Sequence, residues 1–524
     1  MTAATLHDPA RRAAQCALAA AVLAASTVHE ARAGDVDTMI APVPERLWAV
    51  PDTASYAATA AGRSTQANAP GVGVPGSPAI DPSRSYELAE LIDIAQRTNP
   101  DTRIAWETAR QAALNVGIAE SAYLPVLTAS VVGAAQRVPS PIPTSVSPQG
   151  FFVAQTQFVL PTLTAKWLLF DFGGKEASID STREALAAAN FGFNATHQKI
   201  VLEVTRAYYN FNSVQGKVEV ARASLDLASA LQDATESRRA RGLATLPEAL
   251  QAREKTARAA YELQESIAAV NNARMTLLGA MGVPPTTQLH VAALGDRAPP
   301  LMVEESVERL VDRAFAQRPD LLAQVATVRS KEADIRKAQA EFYPRIVVSG
   351  NVLQVMGRVR VVGTPDWSSL NEPSYGVSIG IEVPLYDGGQ RNDRVGVARS
   401  QHRVAEEELE LARDRTARQV VKAYEELKLA VRQRDAAIAL LAAANQSYDA
   451  AIDSYRSGIA TFLDVTNAQT ALIQAKTADA DTRTSLFASA ASLAFATGDL
   501  ASPQGQAASG GIQTWRRCLA WCKR

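Results

Sequence analysis

Tyr375-Gly376-Val377-Ser378-Ile379-Gly380-Ile381-Glu382-Val383-Pro384-Leu385 alternates apolar with small or polar residues along its whole length. That period of two is the pattern of a β-strand with one apolar face. A tilted strand of this length reaches across the hydrocarbon layer of a bilayer. In a water-soluble sandwich the apolar face turns inward; in a membrane barrel it meets lipid while small polar residues line the lumen. Just beyond it, Gly389 to Arg456 contains no proline, and neither does Gly174 to Arg239. At about 1.5 Å per residue each such helix would reach roughly 100 Å, which does not fit a globular domain.

Both features belong to a duplicated unit. Asn99-Pro100-Asp101 returns as Arg318-Pro319-Asp320, and Ala122-Tyr123-Leu124-Pro125 as Glu341-Phe342-Tyr343-Pro344, 219 positions later. Phe170-Asp171-Phe172-Gly173-Gly174 returns as Tyr386-Asp387-Gly388-Gly389 at an offset of 216. Arg241-Gly242 returns as Ser457-Gly458, and Met281-Gly282 as Thr497-Gly498, at that same offset. The small change in offset falls between Pro125 and Asp171, where a loop absorbs it. Each copy reads as a helix of about 35 residues ending at Tyr-x-Pro or Tyr-Pro, two strands, a long helix, a glycine turn and another helix. The strand connections are placed at Pro139 to Gly150 and Gly363 to Ser374, and Pro161 is expected to interrupt a strand of the first copy.

The long helices carry coiled-coil spacing. Val420, Tyr424, Leu427, Val431, Arg434, Ile438, Leu441, Asn445, Tyr448, Ile452 and Tyr455 alternate steps of four and three, and all but Arg434 and Asn445 are apolar or aromatic. Val465, Ala468, Leu472, Ala475, Leu486 and Leu493 continue the seam on the next helix, and Val214, Val218, Ala221, Leu225 and Ala228 form a looser one in the first copy. Four strands cannot close a barrel by themselves, so several chains must combine.

Composition agrees. The 524 residues hold 53 basic and 54 acidic side chains, so no net field argues for nucleic acid. Apolar residues reach 47% with only 6% aromatic, the balance of an Ala- and Leu-rich helical chain. Arg11, Arg12, the apolar stretch Ala17 to Thr27 and Ala31-Arg32-Ala33 read as an export signal over residues 1–33. Residues 34–84 read as a flexible extension, 85–285 and 286–502 as the two copies, and 503–524 as a tail. Cys16 precedes the apolar stretch and is a poor lipid-anchor cysteine. Gly71-Val72-Gly73-Val74-Pro75-Gly76 matches a phosphate-binding string but has no strand before it and reads as linker. His7, His29, His197, His290 and His402 are scattered, Cys518 and Cys522 have no further ligands nearby, and neither a catalytic site, a metal site nor a cofactor is expected.

At this point the chain resembles the TolC-like outer membrane factors over about Tyr86 to Leu500. The residues that carry the likeness are the duplication, Leu169-Phe170-Asp171-Phe172-Gly173, Leu385-Tyr386-Asp387-Gly388-Gly389, and Tyr455-x-x-Gly458 followed by Phe462-Leu463-Asp464-Val465. The resemblance implies a mainly α fold with β: a homotrimer whose chains each give four strands to a twelve-stranded outer-membrane β-barrel. Long coiled-coil helices would build a periplasmic α-barrel. It also implies a periplasmic adaptor, and an inner-membrane ABC transporter or resistance-nodulation pump, as partners, with the outer membrane and periplasm as location.

It further implies a gate at the helical turns, where Tyr455 would hydrogen-bond Glu248. The arginine that strengthens this lock in relatives falls on Ala460, leaving Arg456, Arg239 or Arg241 to substitute. Asp464 would form an acidic ring at the pore entrance, with Asn467 where a second aspartate is expected. Gly242 and Gly458 would permit the helix reversals. An export duct is the leading expectation, with type I protein secretion ahead of small-molecule efflux; an adhesive coiled-coil fibre and a periplasmic enzyme are the alternatives of other classes.

Overall fold

The helices start where backbone geometry permits. In the computed structural model, which describes Ala41 and residues 43–48, 80–145, 148–294 and 305–501, each copy opens with two helices rather than one. They are α1 (Leu88–Thr98) and α2 (Pro100–Glu120) in the first copy, and α5 (Val307–Gln317) and α6 (Pro319–Ala340) in the second. The break falls at Pro100 and Pro319, because proline disfavours helical conformation in the residue before it and suits the first turn of a new helix. The other long elements are α3 (Gly174–Ala240), α4 (Leu246–Met281), α7 (Gln390–Arg456) and α8 (Phe462–Thr497). The strands are β1 (Ser85–Tyr86), β2 (Val126–Pro141), β3 (Phe151–Phe170), β4 (His290–Val291), β5 (Arg345–Val361) and β6 (Ser368–Glu382). The expected signal segment, the glycine string and the cysteine-bearing tail lie outside the described residues.

Two compact units can be distinguished. One comprises Ala112–Leu186 and Ala326–Glu407 and holds an antiparallel sheet in the order β2-β3-β5-β6. Its registers pair Leu163 with Ala129 and Val352, and Val352 with Tyr375. β2 and β6 are therefore open edges, and no helix among the described residues is long and apolar enough to cross a membrane. The strand expected over Tyr375 to Leu385 is β6, which begins earlier, at Ser368 within the expected connection, and stops at Glu382, giving 15 residues; β3 has 20 and β5 has 17. β3 runs through Pro161, which pairs with Val131; only the ladder to β5 has a gap there, at Leu160 and Pro161, where the proline has no N–H to give. Asp171 and Asp387, from the repeated Phe-Asp-Phe-Gly-Gly and Tyr-Asp-Gly-Gly strings, accept the backbone N–H of Lys175 (2.7 Å) and Arg391 (3.2 Å), capping the long helices that follow.

The other unit comprises the described parts of Met1–Gln111, Ala187–Val325 and Glu408–Arg524. Its largest core joins α1 to α3 and α4 through Leu91, Val204, Tyr208, Leu277 and Met281. Along α7 the seam differs from the sequence expectation. Val420 and Leu427 are buried as expected, but the alternate positions belong to Ala423, Ala430, Ala437 and Ala444 at heptad spacing. Ile438 is half exposed instead. Alanine wins these positions because its small side chain lets two helix backbones approach closely. The seam's charged member, Arg434, is held by Asp479 of α8 at 2.6 Å.

Part of the expected flexible extension is docked. Trp48 N–H donates to Asn194 Oδ1 (3.0 Å), Asn194 Nδ2 donates to the Trp48 carbonyl (3.1 Å), and Trp106 Nε1 donates to the Ala41 carbonyl (2.7 Å). His197, fully buried on α3, donates from Nε2 to the Pro44 carbonyl at 2.8 Å.

Candidate functional site

The two helix reversals are built alike. After α3, the Gly242 N–H bonds the Arg239 carbonyl (2.9 Å) and the Leu243 N–H bonds the Arg238 carbonyl (2.9 Å). After α7, Gly458 bonds Tyr455 (3.1 Å) and Ile459 bonds Ser454 (2.9 Å). This pair of bonds closes a helix around a left-handed residue, which glycine occupies without strain; φ is 74° at Gly242 and 80° at Gly458. The next helix then starts on a reciprocal cap. Thr245 N–H donates to Glu248 Oε2 (3.1 Å), and Glu248 N–H returns a bond to Thr245 Oγ1 (3.4 Å). Thr461 and Asp464 repeat the arrangement at 2.8 Å and 3.2 Å.

Glu248 and Asp464 are thus matching capping residues in the two copies. Hydrogen bonds from the Thr461 hydroxyl and then its N–H hold the Asp464 carboxyl below the usual carboxylate range. Asp464 and Asn467 are both exposed, one helical turn apart on α8.

Tyr455 is the buried member of the site, only 5% exposed, in a core with Leu231, Ala252, Phe462 and Val465. Its contact is not with Glu248. Arg238, from the first turn, lies over the Tyr455 ring with its guanidinium carbon 4.5 Å from the centroid, and its Nη1 donates to the Tyr455 carbonyl at 2.7 Å. The Tyr455 hydroxyl has no partner among the described residues. Arg456 faces solvent beside Asp453 at 3.5 Å, and Arg241 donates to the Ser237 carbonyl of its own helix. The arginine at the tyrosine is therefore Arg238, which sequence reading passed over. The only available signal was its position one and three residues before the candidates Arg239 and Arg241, where helical periodicity turns it towards the opposite turn.

Exposed apolar side chains crown both turns: Leu243 and Leu246 in the first copy, Ile459 and Leu463 in the second, with Ile459 83% exposed. Among the described residues no three His, Cys, Asp or Glu side chains gather as a metal site.

The duplicated turns coincide with a duplicated family match: the family described as outer membrane efflux protein matches residues 91–283 and 310–499. The chain belongs to that family. Membership makes it an outer-membrane efflux or export channel protein whose body extends into the periplasm. It is 25% identical over 409 residues to Protein CyaE of Bordetella pertussis, covering 78% of this chain and 83% of that one. Outer membrane protein OprJ of Pseudomonas aeruginosa is 24% identical over 386 residues, covering 73% of this chain and 78% of OprJ. Among solved structures, the outer membrane protein VceC of Vibrio cholerae superposes with a TM-score of 0.64 at 20% identity, over 78% of this chain and 96% of VceC. The efflux-family fold therefore covers both copies.

Proposed function

We propose that this efflux-family chain is one subunit of a homotrimeric exit duct, passive in itself and catalysing no reaction. The observation that carries the reading is the sheet β2-β3-β5-β6, which leaves both edges unpaired and an apolar face exposed at Tyr375, Val377, Ile379 and Ile381. An open edge in lipid is not tolerated, so edges must meet edges of neighbouring chains; three chains close a twelve-stranded barrel. The opposite face carries Thr162, Thr164, Ser349, Asn351 and Ser378, suited to an aqueous lumen. A periplasmic adaptor protein would dock on the apolar crown of Leu243, Leu246, Ile459 and Leu463, and an inner-membrane ABC transporter or resistance-nodulation pump would supply the energy.

The paired turns serve as the periplasmic gate, with Arg238 and Tyr455 as the tie between copies and Glu248 and Asp464 as caps that keep both turns rigid. Three Asp464 carboxylates around the axis would form an acidic entrance, and Asn467 would add no charge. The cargo we propose is a polypeptide, as in type I secretion; small-molecule efflux is the second reading, favoured by the family's description. Deletion in the source bacterium separates them. Loss of a secreted polypeptide from the medium with unchanged drug tolerance supports the first reading, and the reverse pattern supports the second. The duct itself is tested by purifying the full chain: a trimer conducting ions in planar bilayers is expected, and a non-conducting monomer would refute it.

A further inference from the structure

We propose that the outward face of the sheet carries a binding site for the phosphates of a saccharolipid headgroup, as in lipid A, in the outer leaflet. The proposal rests on the duct reading for which face meets lipid. From Ile346 to Met356 the outward side chains of β5 and their cross-strand neighbours are mainly apolar, and the one polar couple, Gln354 and Asn371, bonds to itself at 2.7 Å. Those ten steps cover about 33 Å of strand, or about 25 Å of height at a tilt near 40°, the height of a barrel's apolar band.

The chemistry changes in the next two rows. Arg358 stands beside Gln157, and Arg360 beside Gln155, whose other neighbour is Arg137. Trp367 lies between the two β5 arginines, 4.7 Å from Arg358 and 4.8 Å from Arg360. Trp167 and Phe170 mark the opposite end of the band, so the tryptophans sit where interfacial aromatics belong.

Among the described residues these arginines have no counter-charge. Arg358 Nε donates to Gln157 Oε1 (2.9 Å) and Arg360 Nη2 to Gln155 Oε1 (2.6 Å), while no carboxylate of the described residues lies within 4.0 Å of Arg358, Arg360 or Arg137. The glutamine contacts and the shared indole orient two planar forks side by side at headgroup level. A phosphate with several acceptor oxygens is the anion such forks match, and a phospholipid-like anchor puts it at this height. The hairpins between β2 and β3, and between β5 and β6, close at this end, whereas the long helices leave from the other. The site therefore faces the cell exterior.

Native mass spectrometry of the full chain in detergent tests this with three probes: lipid A bearing both phosphates, lipid A stripped of them, and inorganic phosphate. The expected result is at least about tenfold preference for the phosphorylated lipid, lost in the double variant Arg358→Gln/Arg360→Gln and partly kept in the double Lys variant. Equal binding of the two lipids to the wild-type chain overturns the proposal without recourse to any variant. So does undiminished binding by the Gln variant, or inorganic phosphate binding as tightly as the lipid. Conductance in neutral bilayers reads the duct separately and stays unchanged in the Gln variant; a wild-type chain that fails to conduct overturns the duct reading instead.

Discussion

Tyr455 presents its ring and its backbone carbonyl to Arg238, and its hydroxyl to nothing among the described residues. Tyr455→Phe therefore keeps every contact seen in the chain and should leave single-channel conductance unchanged. Arg238→Gln removes a cation–π contact and a charge-assisted hydrogen bond, together about 1–3 kcal/mol. Its conductance in planar bilayers should rise. A rise in the Phe variant alone would return the lock to Tyr455 and Glu248.

Asp464 is held ionised by its cap, so block of the pore by a multivalent cation should persist from about pH 7 to about pH 5. It should fall in Asp464→Asn, and a block insensitive to that change would remove Asp464 from the entrance. His197 is a second titrating residue, with a structural consequence. Burial pushes its pKa from 6.5 down to about 4, against the opposing pull of the Pro44 carbonyl on Nε2, and Nδ1 has no partner among the described residues to stabilise a second proton. A depressed histidine favours folding fully above pH 6.5, and that advantage declines as pH falls towards about 4. The loss reaches about 3 kcal/mol. Hydrogen exchange of residues 43–48 should accelerate across that window, and His197→Gln should flatten the response.

Among elements, α7 shows how one heptad pattern supports two interfaces. Ala437 is buried, whereas its neighbour Ile438 is half exposed. Ala437→Leu should overpack the helix and cost about 1–3 kcal/mol in chemical unfolding. Ile438→Ala should cost the single chain little and instead weaken association with other subunits, as read by native mass. The sequence pattern located the helix and half of the seam, at Val420, Leu427, Arg434, Leu441, Tyr448 and Tyr455. Of the other positions, Tyr424, Val431 and Ile452 pack partly buried against the core, whereas Ile438 is exposed and Ala437 takes the buried place, because close packing reverses a ranking by hydrophobicity there. The same blindness affected β3, where Pro161 suggested an interruption although only one of its two ladders needed the missing N–H.

For the whole molecule, assembly is written on exposed surfaces. Val397, Val404 and Leu411 recur every seven residues on α7 and all remain exposed in the single chain. In the proposed trimer such a stripe would serve as the seam with another helix. Val404→Asp should leave circular-dichroism helicity unchanged and shift the purified protein from trimer towards monomer. Retention of a full trimer would place the subunit contact elsewhere.

Periodicity alone determined that this chain forms long helices and strands with one apolar face, since these follow from which side chains must avoid water along a regular backbone, and recurring landmark residues determined the two copies of one unit. The turn glycines were also legible, because they depend on neighbours within a few residues. What only the tertiary structure decided joins residues distant in sequence: Arg238 on Tyr455, the docking of Ala41 on α2 and of Pro44 and Trp48 on α3, and the alanine seam of α7. Local pattern sets an element's type and face, but which side chain across the interface meets that face depends on the distance and rotation at which the elements pack.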